Sequence, residues 1–163
     1  MKPIARGAQS YAAATVLLAL ASLASARIGE TMEEADKRYG GFVQMEAGLD
    51  GFSMRIYKKD GIQITARFMD GKIGYLHFEK IDGSPFTAAE FKVLVRAQGV
   101  TVPVSANYLH EEPYWSAGDD KTVAFYDQEK KSVTVSTTEY LKRTGKVRMH
   151  HEQQEAEKKL NDF

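Results

Sequence analysis

His77, His110, His150 and His151 are the side chains best suited to acid–base or metal chemistry. A metal or catalytic site needs two or three such groups converging at a defined spacing, as in H-E-x-x-H on one helical face. None of the four fits such a spacing. His77 lies beside Phe78 in an apolar-alternating run and reads as a strand histidine. His150 and His151 stand in a highly charged tail and read as solvated. His110-Glu111-Glu112 is the one cluster set among aromatics, followed by Pro113, Tyr114 and Trp115. Glu beside His can move a proton or hold a metal, but no spacing orients this pair. A polar loop whose aromatics cover a sheet edge is the simpler reading. There is no G-x-S-x-G elbow, Walker loop, G-x-G-x-x-G or EF-hand loop. The Asp-Gly pairs lack the D-x-D-x-D ligand pattern of calcium sites. No catalytic residue, cofactor or metal is therefore assigned, and the reading leans away from an enzyme. A small enzyme or ligand carrier built on the His110-Glu111-Glu112 loop is the alternative.

The elements that would position such groups centre on a meander. Phe52–Tyr57, Ile62–Met69 and Ile73–Phe78 are apolar-alternating runs bounded by Asp50-Gly51, Asp60-Gly61, Asp70-Gly71 and Asp82-Gly83. Asp-Gly between such runs signals type I′ hairpins, because both central residues need positive φ. Three antiparallel strands are expected. Ile62, Ile64, Ala66 and Phe68 share one face of the middle strand. The third run does not alternate cleanly, and Gly74 is the expected β-bulge that shifts its phase by one.

Two short helices are expected. Thr31 with Glu34, and Thr87 with Glu90, fit the capping box, and Gly40 and Gly99 close the helices. Phe86 and Phe91 occupy the hydrophobic-staple positions of the second. Phe42 to Asp50 reads as an irregular approach to the meander and Asn107 to Asp120 as a loop. Thr122–Tyr126 and Ser132–Thr138 read as two further strands. The halves rhyme: the caps stand 56 residues apart, the turns at Asp70 and Asp127 stand 57 apart, and Thr65–Asp70 resembles Thr122–Asp127. The fold class is α+β: an antiparallel meander packed by short helices, with a tandem α-β-β(-β) duplication over about 28–82 and 84–140.

Residues 1–26 have the form of a cleaved signal peptide. Lys2 and Arg6 precede an uncharged apolar stretch, Tyr11–Leu23, and Ala24-Ser25-Ala26 is an A-x-A site, predicting a mature start at Arg27. The apolar stretch is too short for the roughly 20 residues of a membrane span. The chain has 22 basic and 22 acidic residues, so losing Lys2 and Arg6 leaves a slight acidic excess. That balance argues against a nucleic-acid surface or a polybasic membrane patch, while leaving room for a local basic site. With no cysteine there is no disulfide, thiolate site or cysteine-linked lipid. The expected product is periplasmic or extracellular, with no stable membrane insertion after cleavage. Residues 27–141 form its α+β domain, and 142–163 a charged tail, helical or disordered.

Gly29, Thr31, Glu34 and Tyr39-Gly40, then Phe68 and Asp70-Gly71-Lys72-Ile73, resemble the pattern of small outer-membrane-assembly lipoproteins. Those proteins share a helix-on-sheet architecture with the β-lactamase inhibitor protein, which carries two tandem copies. The resemblance implies architecture alone, covering about Ile28 to Phe78 well and Pro85 to Thr138 loosely. This chain lacks both the lipid-attachment cysteine of the one and the disulfide of the other. One face of such a sheet is covered by helices and the other is open to water or a partner. The expected role is a non-catalytic protein-binding or envelope-associated module with a protein partner in the envelope or outside the cell. Arg55, Tyr57, Arg67, Tyr75, Tyr114 and Trp115 are its candidate contacts, with Met69 beside them, since aromatics and arginine are the usual interface anchors.

Overall fold

The computed structural model describes residues 27–48, 51–100, 114–116 and 121–145 of the 163. Helix α1 is Met32–Tyr39, followed by strands β1 Gln44–Ala47, β2 Phe52–Lys59, β3 Ile62–Met69 and β4 Lys72–Lys80. Helix α2 is Ala88–Arg96, followed by β5 Tyr114–Ser116, β6 Thr122–Asp127 and β7 Ser132–Thr137. A helical segment, α3, then covers 138–145. The described strands form one seven-stranded antiparallel sheet in the order β1-β2-β3-β4-β7-β6-β5.

Local chemistry accounts for the elements. Asp60-Gly61 and Asp70-Gly71 both have positive φ at each residue, as two-residue type I′ turns require. Both capping boxes are formed, with each threonine accepting from the glutamate N–H and each glutamate accepting from the threonine N–H. The middle strand buries Ile62, Ile64, Ala66 and Phe68. These pack with Leu76, Phe78, Val133 and Val135 of the central strands against Ala35 and Tyr39 of α1 and Phe91, Leu94 and Val95 of α2. Both helices therefore lie on one face. Phe86 and Phe91 are buried together in this core, as a staple requires.

Gly74 is the bulge. Arg67 pairs with Tyr75 and Phe68 with Ile73, so Gly74 has no partner on β3. Leu76 and Phe78 thereby return to the core face with Ile73.

Each half runs from a helix into a meander. The last strands after the two helices, β4 and β7, pair antiparallel at the centre of the sheet. His77 stands opposite Thr134 in that central pair. The rhyme between Thr65–Asp70 and Thr122–Asp127 is not a structural equivalence. Phe68 faces the core, whereas Phe125 sits opposite Thr134 on the other face. The closing loops differ, two residues at Asp70-Gly71 and four between Asp127 and Ser132, and this offsets the strands.

Two irregular segments proved partly regular. Gln44–Ala47 is an edge strand, held by its ladder to β2 rather than by any propensity in Gln-Met-Glu-Ala. Tyr114–Ser116, inside the expected loop, pairs with β6. Of the expected tail, 142–145 continues α3, while the rest lies outside the described residues.

Candidate interface on the sheet face opposite the first two helices

Strand register decides which candidates meet. Arg55 is opposite Ala66 and Tyr57 opposite Ile64, so both belong to the helix-covered face. Arg67 is opposite Met54 on β2 and Tyr75 on β4, which places it on the other face. The six candidates therefore do not form one surface.

Arg55 and Tyr57 serve the fold. Asp36 of α1 accepts from the Tyr57 hydroxyl at 2.8 Å and from Arg55 Nη1 at 2.6 Å. The Arg55 guanidinium also lies 4.8 Å from the Phe42 ring centre. Tyr57 has no exposed surface, and its ring stands 5.0 Å from that of Tyr39. Burial, reinforced by the Asp36 carboxylate, pushes the Tyr57 hydroxyl well above the ordinary tyrosine range. Tyr57 is thus corrected from partner contact to core residue, since no partner can reach it. Arg55 is likewise turned inward as the cation that neutralises Asp36.

On the opposite face, aromatic rings run in series. Phe52 meets Tyr140 of α3 edge-on at 5.7 Å, Tyr140 meets Tyr75 at 5.5 Å, and Tyr75 stacks on His77 at 6.3 Å. Arg67 lies 5.1 Å from the Tyr75 ring centre and Arg143 lies 5.2 Å from that of Phe52. Arg143 Nη1 also donates to Asp70 Oδ2 at 2.6 Å, tying α3 to the β3–β4 turn. His77 is held from both sides, its Nδ1 2.8 Å from Thr134 Oγ1 and its Nε2 3.1 Å from Glu79 Oε1. Gln63 Nε2 reaches the other Glu79 oxygen at 3.4 Å.

The bulge makes room for this row. A Cβ at Gly74 would come within 2.8 Å of the Tyr140 ring. The freed Gly74 carbonyl accepts from the buried Ser136 hydroxyl at 3.1 Å. Thr137 Oγ1 accepts from the Tyr140 N–H at 3.0 Å, capping α3 where it leaves the sheet.

Of the candidates, Arg67 and Tyr75 are brought together, with Met69 two residues further along β3 on the same face. Tyr114 and Trp115 lie in β5, opposite Phe125 and Ala124, at the sheet edge remote from β1. His110, Glu111 and Glu112 lie outside the described residues. Phe52 and Arg143 were not among the candidates, nor was Tyr140, which is buried where α3 packs on this face. The phase of β2 held the signal for the first: Phe52, Met54 and Ile56 alternate against Ser53, Arg55 and Tyr57. An apolar phase reads as core, but here the polar phase is covered because Asp36 sits above it. Nothing in the charged segment after Thr138 marks Tyr140 or Arg143.

No family model matches the chain, and no curated protein matches it. Among solved structures it is similar to a cysteine-rich secretory protein from Staphylococcus aureus subsp. aureus Mu50, at 13% identity and a TM-score of 0.45. The match covers 70% of this chain and 44% of that protein, so the chain spans less than half of its length.

Proposed function

We propose that this chain is an exported, non-catalytic binding module that engages a protein partner, in the envelope or outside the cell, through the sheet face opposite α1 and α2, beside α3. The observation that carries the reading is that the partly exposed rings of Phe52, Tyr75 and His77, flanked by Arg67 and Arg143, are held on one face around the buried Tyr140 of α3. Aromatic and arginine side chains dominate binding hot spots. Rings already held by neighbours and hydrogen bonds lose little freedom when a partner docks. Export rests on the signal pattern of residues 1–26. No helix among the described residues is long and apolar enough to cross a membrane.

The test compares the chain from Arg27 with an Arg67→Ala/Tyr75→Ala double variant by chemical cross-linking in the envelope fraction of the exporting cell. The expected result is a defined adduct with the unaltered chain that is lost from the variant while its thermal midpoint stays near the original. Equal adducts from both, or no adduct from either, would overturn the reading.

A further inference from the structure

We propose that the β1 edge is a self-association surface, on which Gln44–Ala47 pairs antiparallel with the same strand of a second copy. This goes beyond the face proposed above and needs no outside partner to be tested. In an antiparallel ladder, alternate residues direct their backbone groups to alternate sides. The Gly48 N–H donates to Phe52 O at 2.9 Å, so Glu46 and Gln44, in the same phase, also face β2. The N–H and C=O of Met45 therefore point away from the sheet, as do those of Ala47.

Natural edges are usually blunted by lysine, proline or a covering element. Between Phe42 and Gly48 there is no lysine, arginine or proline. All four β1 residues are exposed, Met45 at 57%, and so are Phe42 at 41% and Val43 at 58% just before the strand. A contiguous exposed apolar edge of this kind marks an interaction site.

Self-complementarity selects a second copy as the occupant. With a twofold through Met45, the two Met45 residues exchange a pair of backbone hydrogen bonds, and the ladder ends before Val43, whose N–H donates to Ile56 O at 2.7 Å. Gln44 of each copy then stands opposite Glu46 of the other. Within one copy Gln44 Nε2 already donates to Glu46 Oε1 at 2.8 Å, so the amide and carboxylate are compatible partners on one face. No two like charges are opposed. The axis is normal to the sheet, so both aromatic rows face the same way and one partner can engage two of them. Avidity then follows from linkage rather than from new contacts.

The chain has no cysteine, so Met45→Cys introduces a single thiol. Directly hydrogen-bonded antiparallel residues have Cα atoms about 5.5 Å apart, within the roughly 4.4–6.8 Å that a disulfide spans. Ile81→Cys, at a similarly exposed turn position, is the control. Oxidation should link Met45→Cys into a dimer on the order of tenfold faster than Ile81→Cys, through the raised local concentration. Interfaces this small are weak, so sedimentation of the unaltered chain should show mass rising with concentration between about 10 µM and 1 mM. Gln44→Lys, opposing Glu46 of the second copy, should tighten association roughly two- to fivefold, and Met45→Lys should abolish it. A monomer throughout that range, equal cross-linking of the two cysteine variants, or a Gln44→Lys variant no tighter than the original would overturn the proposal.

Discussion

At Gly74 the whole sheet turns on the absence of one methyl group. The unpaired residue lets Leu76 and Phe78 regain the core face and lets the Tyr140 ring lie against the backbone. Gly74→Ala should therefore cost about 1–3 kcal/mol through overpacking, read as a lowered urea midpoint. In a Tyr140→Ala background the same change should cost clearly less, because neighbouring sites couple. Glu90 is the second residue with a readable consequence. Burial pushes its carboxyl up, but hydrogen bonds from Thr87 and Lys80 outweigh this and hold it below the ordinary glutamate value of 4.5. A lowered folded pKa means that the unfolded chain binds the proton more readily. The contribution is thus present above that ordinary value and is lost as pH falls through the folded one. The stability difference between the native chain and Glu90→Gln should narrow from about pH 6 to pH 3 in a urea series.

At the scale of elements, helix α2 follows from local chemistry: cap, staple and apolar spacing all lie within Phe86–Gly99. Thr87→Ala should cost about 1 kcal/mol, measured by chemical denaturation. Helix α1 was as legible in its cap, yet its role was not. Asp36 lies on its inner side and draws Arg55 and Tyr57 of β2 into the covered face. Hairpin turns, the bulge and the core phase of β3 were legible because each depends on residues adjacent in the chain. Strand β1 was not, because Gln-Met-Glu-Ala is extended only through its ladder to β2. The row of rings on the face opposite α1 and α2 escaped for a related reason. Thr134 and Tyr140 reach His77 and Tyr75 from the other half of the chain, and no local period encodes that meeting.

At the scale of the molecule, the first residues of the expected mature chain are built into the fold. The Ile28 N–H donates to Gln98 Oε1 at 2.9 Å, Gly29 N–H to Ile73 O at 2.8 Å, and Ile73 N–H to Glu30 O at 2.8 Å. Arg38 pairs with Glu30 as well. Cleavage after Ala26 leaves all of these intact, and mass spectrometry of the exported product should find Arg27 at its amino terminus. A chain starting at Thr31 should lose roughly 2–4 kcal/mol, at about 1 kcal/mol for each hydrogen bond removed, seen as a lowered thermal midpoint.

The sequence by itself determined the turns, caps, bulge and core stripe, because backbone sterics and side-chain period act over a few neighbouring residues. It also settled the lack of any thiol chemistry. Only the tertiary structure decided which arginines and aromatics share a face. That choice is made by strand register, by the pairing of β4 with β7 and by α3 crossing at Gly74, which join residues about sixty positions apart. A shift of one residue in any of these pairings would exchange the two faces.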